Sequence, residues 1–149
     1  MFLINEWLWA DISGSNGVRN QSVAAQFLEA FIYSSYQIVI VTGSAFDQKA
    51  WEHCRSLDTI GRRLAKLFVV QIRQNSSKAL FVSLNDLGEL TGDLRSLVKD
   101  DDHYLVRTLV MLPDVTLVTT DEPLRKVLAD HVLKAISRDD FLESYFKIG

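Results

Sequence analysis

Residues 99–124 read KDDDHYLVRTLVMLPDVTLVTTDEPL and put carboxylates at two places that a fold can bring together. Asp100, Asp101 and Asp102 open a segment in which Tyr104, Leu105, Thr108, Leu109 and Leu112 recur at helical spacing. Pro113 ends that helix. Residues 115–119 follow as a strand that runs out on Asp121. In an open α/β sheet, ligands bind beyond the carboxyl ends of the strands. Acids brought to such an edge from a helix mouth and a strand end suit a hard divalent cation, and through it phosphate chemistry.

Each acid also has a plainer reading. Asp121 precedes Glu122-Pro123, a helix start, and can serve as its cap. Asp100 and Asp101 complement the helix dipole wherever they sit. Asp47 stands three residues after Ser44, in the arrangement of a capping box. Glu6 lies inside an apolar stretch, where an unpaired acid costs several kcal/mol, so it requires a partner or a site. His53 and Cys54 are neighbours, but no second Cys-His pair accompanies them as a zinc site would need. Trp7, Trp9 and Trp51 read as packing residues before base-stacking ones. Arg62, Arg63 and Lys66 read as a solvated helix face. Arg19, in a Gly/Ser/Asn loop, is placed to meet substrate.

The elements that must position these residues alternate between helix and strand. Residues 2–9 predict a first strand, 13–17 a turn-rich loop and 20–34 a helix. Residues 37–41, QIVIV, have no polar face and suit an internal parallel strand covered on both sides. Asp58 or Thr59 caps a helix with Ile60, Leu64, Leu67 and Phe68 on one face, and residues 75–77 break it. Leu87, Leu90, Leu94, Leu97 and Val98 form another apolar stripe, weakened by Gly88 and Gly92. Residues 131–136 predict a last strand and 139–145 a last helix. The order β-α-β-α-α-α-α-β-α-β-α implies an α/β fold, a mainly parallel sheet with helices on both faces.

The chain has 149 residues, 48% hydrophobic and 23% charged, which predicts one globular domain over 1–149. A net charge of −3 speaks against a non-specific nucleic-acid coat and less against a nuclease, whose metal supplies local positive charge. One cysteine allows no internal disulfide, and a cytoplasmic setting is the expectation. MFLINEWLWA has no basic lead and contains Glu6, so it reads as a buried strand rather than a secretion signal. No stretch approaches the ~18 uninterrupted apolar residues of a membrane span, so no membrane partner is expected.

In the order of these elements and in three motifs the chain resembles the PIN domain family, metal-dependent ribonucleases with an α/β/α sandwich fold. The motifs are Asp100-Asp101-Asp102-His103 before an apolar helix, Val118-Thr119-Thr120-Asp121 at a strand end, and Ser137-Arg138-Asp139-Asp140-Phe141-Leu142 near the end. The resemblance implies hydrolysis of RNA phosphodiester bonds with Mg²⁺ or Mn²⁺. It implies a catalytic set of Glu6, Asp47, Asp102 and Asp121, with Asp102, Asp121, Glu6 and Asn5 toward the metal and Thr119, Thr120 and Arg19 toward substrate. It also implies the toxin of a toxin–antitoxin pair and a homodimer, with the clustered N-terminal aromatics as a possible interface. Two positions depart from the family pattern. Asn5-Glu6-Trp7 stands where Asp-Thr/Ser-Asn/Ser is usual, and neither Asp47 nor Glu52 falls on the usual spacing of the second acid. A catalytically impaired PIN-fold binding or scaffold protein is therefore the alternative.

Overall fold

The computed structural model describes residues 1–149. Five strands form one sheet in the order β3-β2-β1-β4-β5, and all four pairings are parallel. They are β1 (Phe2–Ile4), β2 (Ile38–Thr42), β3 (Ala79–Ser83), β4 (Thr116–Val118) and β5 (Ala135–Ile136). Eight helices connect them: α1 (Trp7–Ile12), α2 (Val18–Tyr33), α3 (Ala45–His53), α4 (Thr59–Phe68), α5 (Gly92–Leu97), α6 (His103–Met111), α7 (Glu122–Asp130) and α8 (Arg138–Phe141).

Strand residues alternate between two apolar layers, as the two-residue period of a strand requires. Phe2, Ile4, Ile38 and Ile40 join α1, α2, α4 and α8 in one core. Leu3, Val39, Val41 and Leu117 join α6 and α7 in the other. The result is three layers with the sheet in the middle, the α/β architecture expected from the alternation. Side-chain caps fix several helix starts. Ser44 accepts from the Asp47 amide, Asp58 from Gly61, Asp121 from Leu124 and Ser137 from Asp140.

Five features of the sequence reading change. The first strand stops at Ile4, and Trp7, Leu8, Trp9 and Ile12 are buried as one turn and a half of helix. A short apolar run does not distinguish the two states by periodicity. Residues 79–83, KALFVS less its lysine, form an edge strand that the sequence reading passed over; Leu80 and Phe81 are both part-exposed, so no alternation marks it. The 87–98 stripe is helical only over Gly92–Leu97, although Leu87, Leu90 and Val98 are buried. The last strand is confined to Ala135–Ile136, and Ile60 faces outward on α4.

The N-terminal aromatics are mostly core. Trp9, Phe27, Phe31 and Phe68 are fully buried, and Trp7 nearly so, which removes them from any surface interface. Both buried indoles satisfy their N–H: Trp7 Nε1 donates to the Val118 carbonyl (2.9 Å) and Trp9 Nε1 to that of Phe46 (3.0 Å).

Candidate functional site

Chain connectivity runs outward from β1 in both directions, through β2 to β3 and through β4 to β5, so the sheet reverses its winding between β1 and β4. Such a switch point opens a crevice beyond the carboxyl ends of the two strands. Asn5 and Glu6 leave β1 there, and Thr119, Thr120 and Asp121 leave β4. Three hydrogen bonds close the seam beneath them. The Asn5 amide and Trp7 Nε1 both donate to the Val118 carbonyl, and Asn5 Nδ2 donates to Thr119 Oγ1 (3.1 Å).

Asp102 enters from the side. It ends a 3₁₀ turn over Asp100–Asp102 and stands at the start of α6, with no side-chain cap to make. Burial, followed by the Asp121 carboxylate and more weakly by Asp101 and Glu6, holds its carboxyl above the usual range; Lys99 pulls the other way. Three acids from separate segments, Glu6, Asp102 and Asp121, thus share one field. Like charges so placed favour a cation or a proton among them.

The acids differ in how firmly they are held. Asp121 Oδ1 accepts the Leu124 amide (3.0 Å), so it caps α7 as its plainer reading required, and its other oxygen makes no bond within the chain. Glu6 Oε2 accepts from Lys49 Nζ at 2.9 Å, but Glu6 leaves β1 half-exposed, so the buried acid expected from the apolar stretch is not one. Tyr104, two residues beyond Asp102, places a fully buried hydroxyl near these groups, with no partner in full hydrogen-bonding geometry. Burial, Glu6 and Asp102 keep that phenol protonated well past its ordinary range, with the nearby Phe46 backbone opposing them.

Other expected members go elsewhere. Both oxygens of Asp47 accept from Arg73 (2.7 and 3.1 Å), a largely buried pair that uses the carboxylate up. Asp47 therefore leaves the acid set, and Glu52 is exposed on the same helix. Asn5 Oδ1 accepts the Glu6 amide (2.7 Å), so Asn5 holds the seam instead of facing outward. Thr119 is fully buried, its hydroxyl engaged by Asn5 and by the Asp121 amide, and its carbonyl by Arg125. Those bonds make it a strut, not a substrate contact. Thr120 is exposed and lines a cleft with Glu6. Arg19 lines a different cavity, with Arg138 and Lys147.

No known family, characterised protein or solved structure matches the chain. The site therefore rests on its own chemistry. No three His, Cys, Asp or Glu side chains stand close enough to chelate a metal directly. Asp102 and Asp121, with Glu6 beside them, still suit Mg²⁺, which keeps several waters and needs one or two carboxylates plus substrate phosphate.

Sequence reasoning missed the two cations that sort the acids, Lys49 and Arg73. Their partners lie 43 and 26 residues away, and no local spacing announces either pairing.

Proposed function

We propose that this chain is a PIN-like, metal-dependent endoribonuclease that hydrolyses RNA phosphodiester bonds at the β1/β4 edge. The observation that carries the reading is the convergence of Glu6, Asp102 and Asp121 there, close enough for Asp121 and Glu6 to raise the Asp102 pKa. A parallel sheet layered between helices agrees with the motif resemblance. Mg²⁺ or Mn²⁺ at such a site neutralises charge on the phosphate and supplies a water of lowered pKa. Asp102 and Asp121 would hold the cation, and the Leu124 amide fixes the aim of Asp121. Glu6, which Lys49 holds in the chain without substrate, would orient the attacking water. No side chain is placed as a covalent nucleophile. The same resemblance brings with it a toxin role, a paired antitoxin and a homodimer, and the single cysteine suits a reducing cytoplasm.

A second reading, a PIN-fold binding protein that has lost catalysis, is favoured by specific observations. Asn5 is locked in the seam, Asp47 is consumed by Arg73, and no three acidic, His or Cys side chains stand within direct chelating distance of one another. Metal response separates the two. Thermal unfolding of wild type and Asp102→Asn in EDTA and in millimolar Mn²⁺, with the same samples assayed on labelled single-stranded RNA, is the test. For the nuclease, Mn²⁺ at 100 times its Kd adds about 2.7 kcal/mol to wild type and RNA is cut, with both effects lost in the variant. Indifference of both proteins to Mn²⁺, without cleavage, leaves the binding protein.

A further inference from the structure

Beside the three acids lies a cleft of about 530 Å³ that nothing above has used. It shares Glu6 and Thr120 with the acid site and continues along α1 and α3 to Lys49, His53, Ser13 and Asn16. Lys49 is the one Lys or Arg in its lining, and Glu6 the one acid. The Lys49–Glu6 pair is 40% and 39% exposed, so water screens it and little free energy resists its exchange for another anion. A phosphodiester oxygen is such an anion. Farther along the wall, the His53 imidazole lies flat on Trp9, ring centroids 5.6 Å apart and planes 14° from parallel. Burial lowers the His53 pKa, so this imidazole is neutral at pH 7 and serves as a ring, not a second cation. Ser13 and Ser15 join their hydroxyls at 2.8 Å on the same wall, and Asn16 is anchored to Asp11.

One exchangeable cation, a supported flat ring and neutral hydroxyls, opening directly from a carboxylate site, match the parts of one nucleotide: phosphate, base and sugar. We infer that this cleft is the subsite for the nucleotide adjoining the cleaved bond in a single-stranded RNA, with Lys49 leaving Glu6 to bind its phosphate. Substrate binding and the freeing of Glu6 are then one event. A chain without RNA keeps Glu6 neutralised; a chain with RNA presents it to the attacking water. The inference rests on the nuclease reading for the strand's identity, but the cleft is tested without catalysis.

The experiment measures binding of a fluorescent, uncleavable 2′-O-methyl oligonucleotide in EDTA across a salt series, for wild type, Lys49→Met, Lys49→Arg and His53→Ala. Cleavage of the unmodified RNA in Mn²⁺ is followed in parallel, and circular dichroism confirms each fold. Lys49→Met is expected to weaken binding about 3–10-fold and to flatten the slope of log affinity on log salt by about 0.7, one phosphate contact to a single strand. Lys49→Arg keeps the wild-type slope. His53→Ala weakens binding about fivefold, the scale of a lost stacking partner, with the slope unchanged. Lys49→Met with wild-type affinity and slope overturns the subsite, whether or not the wild type cuts RNA. Lys49-dependent binding without any cleavage supports the subsite and overturns the nuclease. A wild type that neither binds nor cuts overturns both.

Discussion

Asp102 is worse off as an anion in the fold than in an open chain, because burial removes water from it and Asp121 and Glu6 add like charge. Its folded pKa is raised, so the folded state holds the proton more tightly than the unfolded one. Stability contributed by this group therefore falls as pH rises from the unfolded value through the folded one, and at pH 7 the carboxylate is a net cost. Asp102→Asn in EDTA at pH 7 is expected to raise Tm by on the order of 1–3 °C for a domain of this size, partial exposure tempering the effect. The gain should shrink as pH falls through about 4, as both states of the wild type take up the proton. Scanning calorimetry at pH 7 and pH 3.5 checks this, and a variant less stable than wild type at both would contradict it. On the proposed nuclease reading, that cost at rest is offset when Mn²⁺ binds.

Helix ends, more than helix interiors, decide where these side chains stand. α4 is a case where packing overrides propensity. Gly61 lies in its first turn, its amide bound to the Asp58 carboxylate at 2.7 Å, and Asp58 also accepts from Gln21 at 2.9 Å. A methyl at residue 61 would stand 2.8 Å from Asp58 Oδ2 and 3.0 Å from the Ile12 carbonyl. Alanine normally stabilises a helix by about 1 kcal/mol over glycine. Here Gly61→Ala should instead destabilise by about 1–2 kcal/mol, since it forces apart a cap and the end of α1. Urea unfolding midpoints at constant m-value give the answer, and a stabilised variant would show that the cap moves freely. At this scale the sequence was readable wherever one local signal sufficed. The caps at Ser44, Asp58 and Asp121, the 3.6-residue stripe of α2 and the polar-free β2 were each legible from neighbours in the chain. β3 was not, because an edge strand with Leu80 and Phe81 both part-exposed shows no two-residue period. The end of β1 was not, because INEWLWA is apolar enough for strand or helix and tertiary burial of both tryptophans chose helix.

Over the whole molecule, long-range polar ties do what local signals cannot. Asp11, 2% exposed, accepts two bonds of 3.1 Å from Arg138, joining α1 to α8 across 127 residues, with Asn16 as a further donor at 2.7 Å. Removing the cation leaves a carboxylate buried, and burial already pushes the Asp11 pKa up despite Arg138 and Asn16. Arg138→Met should cost about 3–5 kcal/mol near neutral pH. Loss of Arg138 raises that pKa further, so the penalty shrinks as pH falls through the variant's folded value and Asp11 takes up a proton. Denaturant titrations at pH 7 and pH 4.5 read it, and an equal loss at both would assign the effect to packing against Trp7 alone. Such ties were invisible in the sequence, as were Lys49 with Glu6 and Arg73 with Asp47, because pairing over tens of residues follows from topology. The acidic edge itself was half legible. Asp102 and Asp121 declared themselves by position, whereas Asn5 and Thr119 were given outward roles that the seam reserves for itself. The β1/β4 seam has a kinetic consequence too. It joins residues 114 apart, Asn5 to Thr119, a long-range closure of the kind that slows chain search. The acids gather over that seam, so a partly folded chain with an open seam would carry no assembled site.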